Sequence, residues 1–272
     1  MHWIKLELSF LMKNNMIVTI TGSGTSQGVP IIGCECKVCK SENYKDKRLR
    51  SSIHIYYKGK SIVIDTGPDF RQQMLNLKVK SLDAVLFTHE HKDHVAGLDD
   101  VRPFNFSQKK PIDIYCNDQV FKALKREFHY IFDPKFQYPG IPKIKRFKLN
   151  KGIDTYIEDI KIEPIEVMHY KLPVLGFKIG KFAYITDAKT ISESEKNKLK
   201  KLDVLIINSL RIKEHLSHFN LEEALSLINE LKPKEAILTH ISHFMGLHDE
   251  VQKKLPENIS LAFDGQKINL SQ

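Results

Sequence analysis

The chain has 272 residues, 42% of them hydrophobic and 28% charged, with 13 Gly, 11 Pro and 4 Cys, proportions that exclude a disordered chain, a collagen-like repeat and a disulfide-dense secreted scaffold. Lys plus Arg outnumber Asp plus Glu by 42 to 33, so the formal charge of +9 attracts phosphate-bearing partners without choosing between a nucleic acid and a small phosphorylated molecule. No stretch reaches the roughly 18 consecutive apolar residues that a membrane-spanning helix needs, so no membrane crossing is expected.

Residues 1–15 read as a dispensable N-terminal extension. Lys5, Glu7 and Lys13 interrupt its apolar patch, no small-residue cleavage site follows, and Met12 or Met16 would serve as well for a start. Met16 to Thr21 reads as a buried strand leading into the turn-rich Gly22-Ser23-Gly24-Thr25. A cysteine loop at about 33–40 follows. Ser52 to Tyr57 and Ser61 to Asp65 then form a hairpin across Lys58-Gly59-Lys60. Ala84 to Thr88 is an apolar strand that ends in a histidine cluster. Asp118 to Phe128 has helical spacing, with Asn117 or Asp118 as cap, and Asp133 to Pro142 is a proline-rich loop. Strands are expected at Ile160 to Val167, Phe177 to Ile179, Phe182 to Thr186, Val204 to Asn208 and Ala236 to Thr239, with a last one at Ile259 to Phe263. Helices are expected at Leu221 to Leu231 and Glu250 to Leu255. No low-complexity linker or repeat divides the chain, so residues 16–272 read as one α/β domain built on two sheets.

His89, His91, Asp93 and His94 form His-x-His-x-Asp-His just after a buried strand. Imidazole and carboxylate donors at this density suit Zn, Mn or Fe. Two ions sharing one short loop could stabilise both the entering and the leaving oxygen of a phosphoryl displacement. Three of the four cysteines, Cys34, Cys36 and Cys39, fall within six residues, too tight for unstrained pairing. They read as thiolate metal ligands in a reducing cytoplasm, one short of a closed tetrahedral zinc site. His243, three residues beyond His240, is the candidate for the missing ligand.

The His-x-His-x-Asp-His run resembles the signature of the metallo-β-lactamase superfamily, and later positions match its pattern over nearly the whole chain. The resemblance implies the αββα four-layer sandwich. It further implies that His89, His91 and His169 hold one ion and Asp93, His94 and His240 the other, with Asp187 touching both. Asp65, in Ile64-Asp65-Thr66-Gly67, would orient a ligand. Cys34, Cys36, Cys39 and His243 resemble the extra zinc site of the PhnP-type phosphodiesterases, as do Gly22 to Ser26, Arg48 to Ser51 and Gly97 to Pro103. The expected cofactors are therefore two catalytic divalent ions, Zn or Mn, and one structural Zn.

The resemblance implies hydrolysis of a phosphodiester, with 5-phosphoribosyl 1,2-cyclic phosphate opened to ribose 1,5-bisphosphate as the leading substrate. His218 would give the leaving alkoxide its proton, although it could instead cap the helix that follows or contact phosphate. Arg102, Lys92 and Arg211 are candidates for binding a second phosphate. A homodimer is implied by the family alone. The alternatives are a transfer-RNA 3′-processing endonuclease, a thioesterase or lactamase of the same superfamily, and a non-catalytic nucleic-acid-binding module. The second lacks a supporting signal or added domain, and the last would not need seven catalytic ligands.

Overall fold

The computed structural model describes residues 15–136 and 138–271. Residues 1–14, which make up almost all of the expected extension, lie outside them, whereas Asn15 already opens the first strand. The first half runs β1 (Asn15–Gly22), β2 (Ser52–Tyr57), β3 (Lys60–Ile64), α1 (Phe70–Leu77), β4 (Ala84–Leu86), α2 (Lys92–Val95), α3 (Arg102–Gln108), β5 (Ile112–Cys116), α4 (Asp118–Glu127), α5 (His129–Phe132) and β6 (Ile144–Lys148). The second half runs β7 (Thr155–Ile157), β8 (Ile160–His169), β9 (Leu172–Ile179), β10 (Phe182–Ile185), β11 (Thr190–Ile191), α6 (Glu193–Lys198), β12 (Val204–Asn208), α7 (Leu221–Leu231), β13 (Glu235–Thr239), α8 (His248–Gln252), β14 (Ile259–Leu261) and β15 (Lys267–Ser271).

One sheet has the order β15-β1-β2-β3-β4-β5-β6. The other has the order β11-β8-β9-β10-β12-β13-β14, with β7 beside β8. Each half changes from antiparallel hairpins to parallel strands joined through helices, β3 to β6 in one sheet and β10 to β14 in the other. Met16, Val18, Ile20, Ile53, Ile55, Ile62 and Ile64 meet Phe177, Phe182, Tyr184 and Ile206 between the sheets. The opposite faces carry helices: Phe70, Met74 and Leu124 cover Val63, Val85 and Ile114, while Leu199, Leu227 and Ile228 cover Leu205 and Leu238. Four layers result, as expected. No helix among the described residues is long and apolar enough to cross a membrane.

Several boundaries differ from the sequence reading. The strand at 259–263 stops at Leu261 and is not the last. Gly265, at φ 90°, turns the chain so that β15 pairs antiparallel with β1, placing Ile268 and Leu270 inward. The strand expected to end at Val167 continues to His169, because the β8–β9 hairpin pairs His169 with Leu172. The strand before the histidine cluster ends at Leu86, two residues early, where Thr88 turns its backbone N–H to Asp65.

Strand ends are where the backbone is least ordinary. Asp65 (φ 65°), Asp187 (φ 56°) and His240 (φ 56°) all adopt the left-handed conformation just beyond β3, β10 and β13. This costs a residue with a Cβ about 1–2 kcal/mol, and it turns each side chain back over the edge of its sheet. Neighbouring backbone holds the turns: Asn208 brackets the residue after Asp187, accepting from Ala188 N–H at 2.7 Å and donating to its carbonyl at 2.9 Å. The histidine loop is clamped against the β3 turn, with Thr66 N–H on the His94 carbonyl and Gly97 N–H on the Thr66 carbonyl, both at 2.8 Å.

That clamp leaves no room for a side chain at Gly67, where a Cβ would lie 2.2 Å from the Asp93 carbonyl oxygen. Gly67→Ala is therefore expected to destabilise the fold by about 1–3 kcal/mol, the usual cost of overpacking. Urea denaturation checks it, and an unchanged midpoint would show that the histidine loop yields freely.

Candidate metal centre

The helix turn α2 follows the extended His89–His91 segment, with His91 in the N-cap position. It carries Asp93 and His94 around toward Asp187 and His240, which arrive from the other sheet. His94 Nε2 lies 3.1 Å from Asp93 Oδ2 and 3.2 Å from Asp187 Oδ2, and His240 Nε2 lies 3.4 Å from Asp187 Oδ1. Asp93, His94, Asp187 and His240 each offer a ligand atom within 4.8 Å of the others, and so do His169, Asp187 and His218. The rings of His89, His91 and His169 also gather, with centroids 4.6 Å (His89 to His91), 5.3 Å (His91 to His169) and 6.0 Å (His89 to His169) apart. His89 is fully buried and His91 exposed, so the cluster opens to solvent on the His91 side.

Hydrogen-bond bookkeeping assigns the imidazole tautomers. His94 Nδ1–H donates to Asp65 Oδ2 at 2.6 Å. Thr88 Oγ1–H donates to the same oxygen at 2.8 Å, so at 3.0 Å it accepts from His89 Nδ1–H. His169 Nδ1–H donates to the Ser217 carbonyl at 2.8 Å. Ser51 Oγ donates to the Gly24 carbonyl at 2.8 Å and so accepts from His240 Nδ1–H at 3.1 Å. Each of these four histidines spends its Nδ1 proton outward and is left with a lone pair on Nε2.

This arrangement tests whether cations fit. His89 Nε2 and His94 Nε2 are buried with no hydrogen-bond partner, and a lone pair facing two carboxylates repels them unless positive charge stands between. Burial opposes charging His94, yet Asp93, Asp187 and Asp65 together raise its pKa well above the ordinary imidazole value. Burial likewise opposes ionising Asp187, but His240 and His94 hold it well below the usual carboxylate range. Desolvated carboxylates facing inward-pointing imidazole nitrogens demand positive charge between them, the environment of a divalent metal centre, and the residues fit two ions. Asp65 then does what outer carboxylates do at such centres, fixing ring orientation while it raises donor strength.

The cysteine site has the same clarity. Sγ of Cys34, Cys36 and Cys39 lie 3.3, 3.4 and 3.5 Å from His243 Nδ1. Bonds of about 2.3 Å to sulfur and 2.0–2.1 Å to nitrogen at tetrahedral angles separate such ligands by about 3.5 Å, so the four donors suit one zinc ion. The Cys39 N–H donated to Cys36 sulfur, aided by His243 and the other two thiols, outweighs burial and draws the Cys36 thiol down to about 6. Burial pushes Cys39 up to about 11. All four cysteines are free.

His218 is mostly buried, with Nδ1 unpartnered and 3.8 Å from Asp187 Oδ1. Burial pushes its pKa down to about 3, against the attraction of Asp187. It does not cap α7: Asn220 does, accepting from Glu223 N–H at 2.8 Å while the Glu223 carboxylate accepts from Asn220 N–H at 2.9 Å. His215 stands beside it, ring centroids 5.2 Å apart. The basic residues expected near the metals have other company. Lys92 pairs with Glu127, Arg102 with Asp99 at 3.4 Å and the Gly140 carbonyl at 3.2 Å, and Arg211 donates to the carbonyls of Lys213 and Glu214.

Sequence reasoning passed over Ser51, Thr88 and the Ser217 carbonyl, the partners that orient His240, His89 and His169. Ser51 was within reach as the end of the Arg48-to-Ser51 run. A lone hydroxyl or carbonyl carries no signal of its own.

Two sheets whose strand ends converge on this buried His/Asp cluster define the class: a metal-dependent hydrolase domain of the metallo-β-lactamase fold. The sequence profile described as Beta-lactamase superfamily domain matches residues 60–241. A diphosphatase from the PhnP family is 37% identical in solved structure, with 94% of this chain and 97% of that one superposed at a TM-score of 0.88. The chain belongs to the metallo-β-lactamase superfamily and, within it, to the PhnP family. Zn(2+)-bound PqqB from Methylobacterium extorquens shares the fold at 18% identity, covering 93% of this chain and all of that one with a TM-score of 0.77. A curated relative from Porphyromonas gingivalis named octanoyltransferase is 44% identical over 248 residues, 90% of this chain, but the chain spans only half of its length.

Two outcomes are expected. Cys36→Ala should bind one zinc fewer per chain than the wild type under identical loading, read by elemental mass spectrometry; an equal count would remove the thiols as ligands. Asp65→Ala should weaken metal affinity at the His/Asp cluster by about 10–100-fold, and metal titration with competing chelator measures it.

Proposed function

We propose that this domain hydrolyses a phosphodiester and that its substrate is a small cyclic ribosyl phosphate, 5-phosphoribosyl 1,2-cyclic phosphate opened to ribose 1,5-bisphosphate. The observation that carries the reading is the solvent-open convergence of Asp93, His94, Asp187, His240, His169 and His218. The identity with a diphosphatase of the PhnP family supports it. His89, His91 and His169 would hold one divalent ion, Asp93, His94 and His240 the other, and Asp187 both, with Cys34, Cys36, Cys39 and His243 on a structural zinc. Zn or Mn in the catalytic pair would acidify water and neutralise charge on phosphoryl oxygens.

The protein's own part is orientation. Asp65 and Thr88 hold His89 and His94 in one tautomer, Ser51 and the Ser217 carbonyl hold His240 and His169, and none of them has to reorganise as charge develops. His218, its Nδ1 unpaired beside Asp187, gives the proton to the leaving alkoxide. The anionic ester adds to the negative charge of Asp187 in holding that proton against burial. Free thiols suit a reducing compartment such as the cytoplasm.

The relative described as a diphosphatase makes phosphoanhydride cleavage the second reading. The activity named for the longer Porphyromonas protein is not carried over, since the match covers half of that chain. A panel of the cyclic ribosyl phosphate, inorganic and nucleoside diphosphates, cyclic nucleotides and precursor transfer RNA, with Mn or Zn added, separates the readings. The expected result is the highest kcat/KM on the cyclic ribosyl phosphate, abolished by chelation. A preference for diphosphates by tenfold or more would replace it with the second reading.

His218→Ala should lower kcat about 10²–10⁴-fold on diesters with poor leaving groups and much less on a nitrophenyl diester, whose leaving group needs no proton. Equal losses on both would assign His218 to ground-state binding or structure.

A further inference from the structure

We infer that this chain carries a second binding site, for an amphiphilic anion, an alkyl or acyl chain ending in a charged group, in the cavity between the cysteine loop and the 243–254 segment. The cavity measures about 650 Å³. None of the His/Asp cluster residues lines it, so it is a separate site. Val38, Ile212, Phe244, Met245 and Val251 make its apolar wall. Two of these, Ile212 and Phe244, are 52% and 64% exposed, a large apolar area for a protein to leave open in one place.

The charge around the wall is predominantly positive. Lys37, Arg211, Lys213 and Lys254 line the cavity with a single acid relevant to Lys37: the Glu250 carboxylate, 3.1 Å from the Lys37 ammonium. Glu250 is thereby neutralised. Arg211 spends its side chain on neighbouring carbonyls. The ammonium groups of Lys213 and Lys254 have no side-chain partner among the described residues, so two uncompensated cations stand over an apolar floor. A ligand complementary to that surface has an apolar body and a negative end.

The lining further selects a chain over a nucleobase. The one aromatic ring, Phe244, is tilted at 57° against His243 with centroids 4.0 Å apart, so one face is already taken. Of the remaining polar lining side chains, Cys36 and His243 belong to the thiolate cluster and Glu250 is paired, which leaves no unpaired side-chain acceptor beside a donor among the described residues to read a base edge. Aliphatic side chains offer a methylene chain contact without ring stacking, and Met245 adapts its shape to it.

Isothermal titration of the full chain with decanoate tests this, using butyrate, 1-decanol and inorganic phosphate as comparisons. Decanoate is expected to bind saturably and at least tenfold more tightly than any of the three. The double variant Lys213→Gln/Lys254→Gln should weaken decanoate about tenfold and leave decanol unchanged, and Ile212→Asp should weaken both. Melting temperature and zinc content monitor the fold of each variant. Butyrate or phosphate binding as tightly as decanoate, or decanoate binding indifferent to both variants, would overturn the proposal. Neither result bears on the hydrolytic reading, which rests on other residues.

Discussion

Asp187 is a carboxylate taken out of water and surrounded by imidazole rings, and the rest of the site follows from making that arrangement tolerable. Desolvation of a carboxylate is costly unless positive charge compensates it. Here the compensation can come only from protons on His94 and His240 or from cations placed between the groups. The protein has biased the choice: Nδ1 protons of His89, His94, His169 and His240 are all committed outward, to Thr88, Asp65, the Ser217 carbonyl and Ser51. The inner nitrogens are therefore the ones available as donors to metal.

The fold serves this constraint through its strand ends. Parallel strands deliver their C-terminal ends to one edge of each sheet, the usual place for ligands in α/β structures. The left-handed turns at Asp65, Asp187 and His240 then bend three acidic or imidazole side chains over that edge. The same geometry links the two metal centres. His240 follows β13 and His243 lies three residues on, while Ile241 N–H and carbonyl bond the carbonyl of Ser23 and the N–H of Thr25. A zinc held by the cysteine loop and His243 would tether a segment about 200 residues away in sequence, replacing costly ordering of free chain with coordination.

The fold class and most of the residues that gather in the two clusters were legible because they are written in short-range patterns. His-x-His-x-Asp-His and Cys-x-Cys-x-x-Cys survive as local spacing, and β12 and α7 match their expected bounds because an all-apolar run and a clean amphipathic period leave no ambiguity. Less legible elements had mixed signals. In β6, Ile144-Lys145-Arg146-Phe147-Lys148, three basic residues sit on an edge strand whose exposure permits them. α1 is a short helix with a polar mean in which only Phe70, Gln73 and Met74 are buried. β9 begins at Leu172, before the expected Phe177, because pairing with β8 carries the strand through Pro173 and Gly176, which read locally as breaks. The orienting hydroxyls and carbonyls were invisible for a different reason: their roles exist only after residues 51 and 240, or 169 and 217, have met.

Recognition of the substrate follows another logic from recognition of metal. Many basic residues are paired with acids across the surface, as Lys58 with Asp159, Lys60 with Glu158, Lys110 with Asp83, Lys189 with Glu223 and Lys196 with Glu230 show. Exposed pairs of this kind add little stability, and they leave the formal +9 to the cations without acid partners. Charge that faces a substrate is therefore set by the few cations left without partners and by whatever the buried carboxylates hold. On the proposed reading, net charge describes the approach of a phosphorylated ligand at long range, whereas selectivity between one phosphate ester and another would reside around His91, on the exposed side of the cluster.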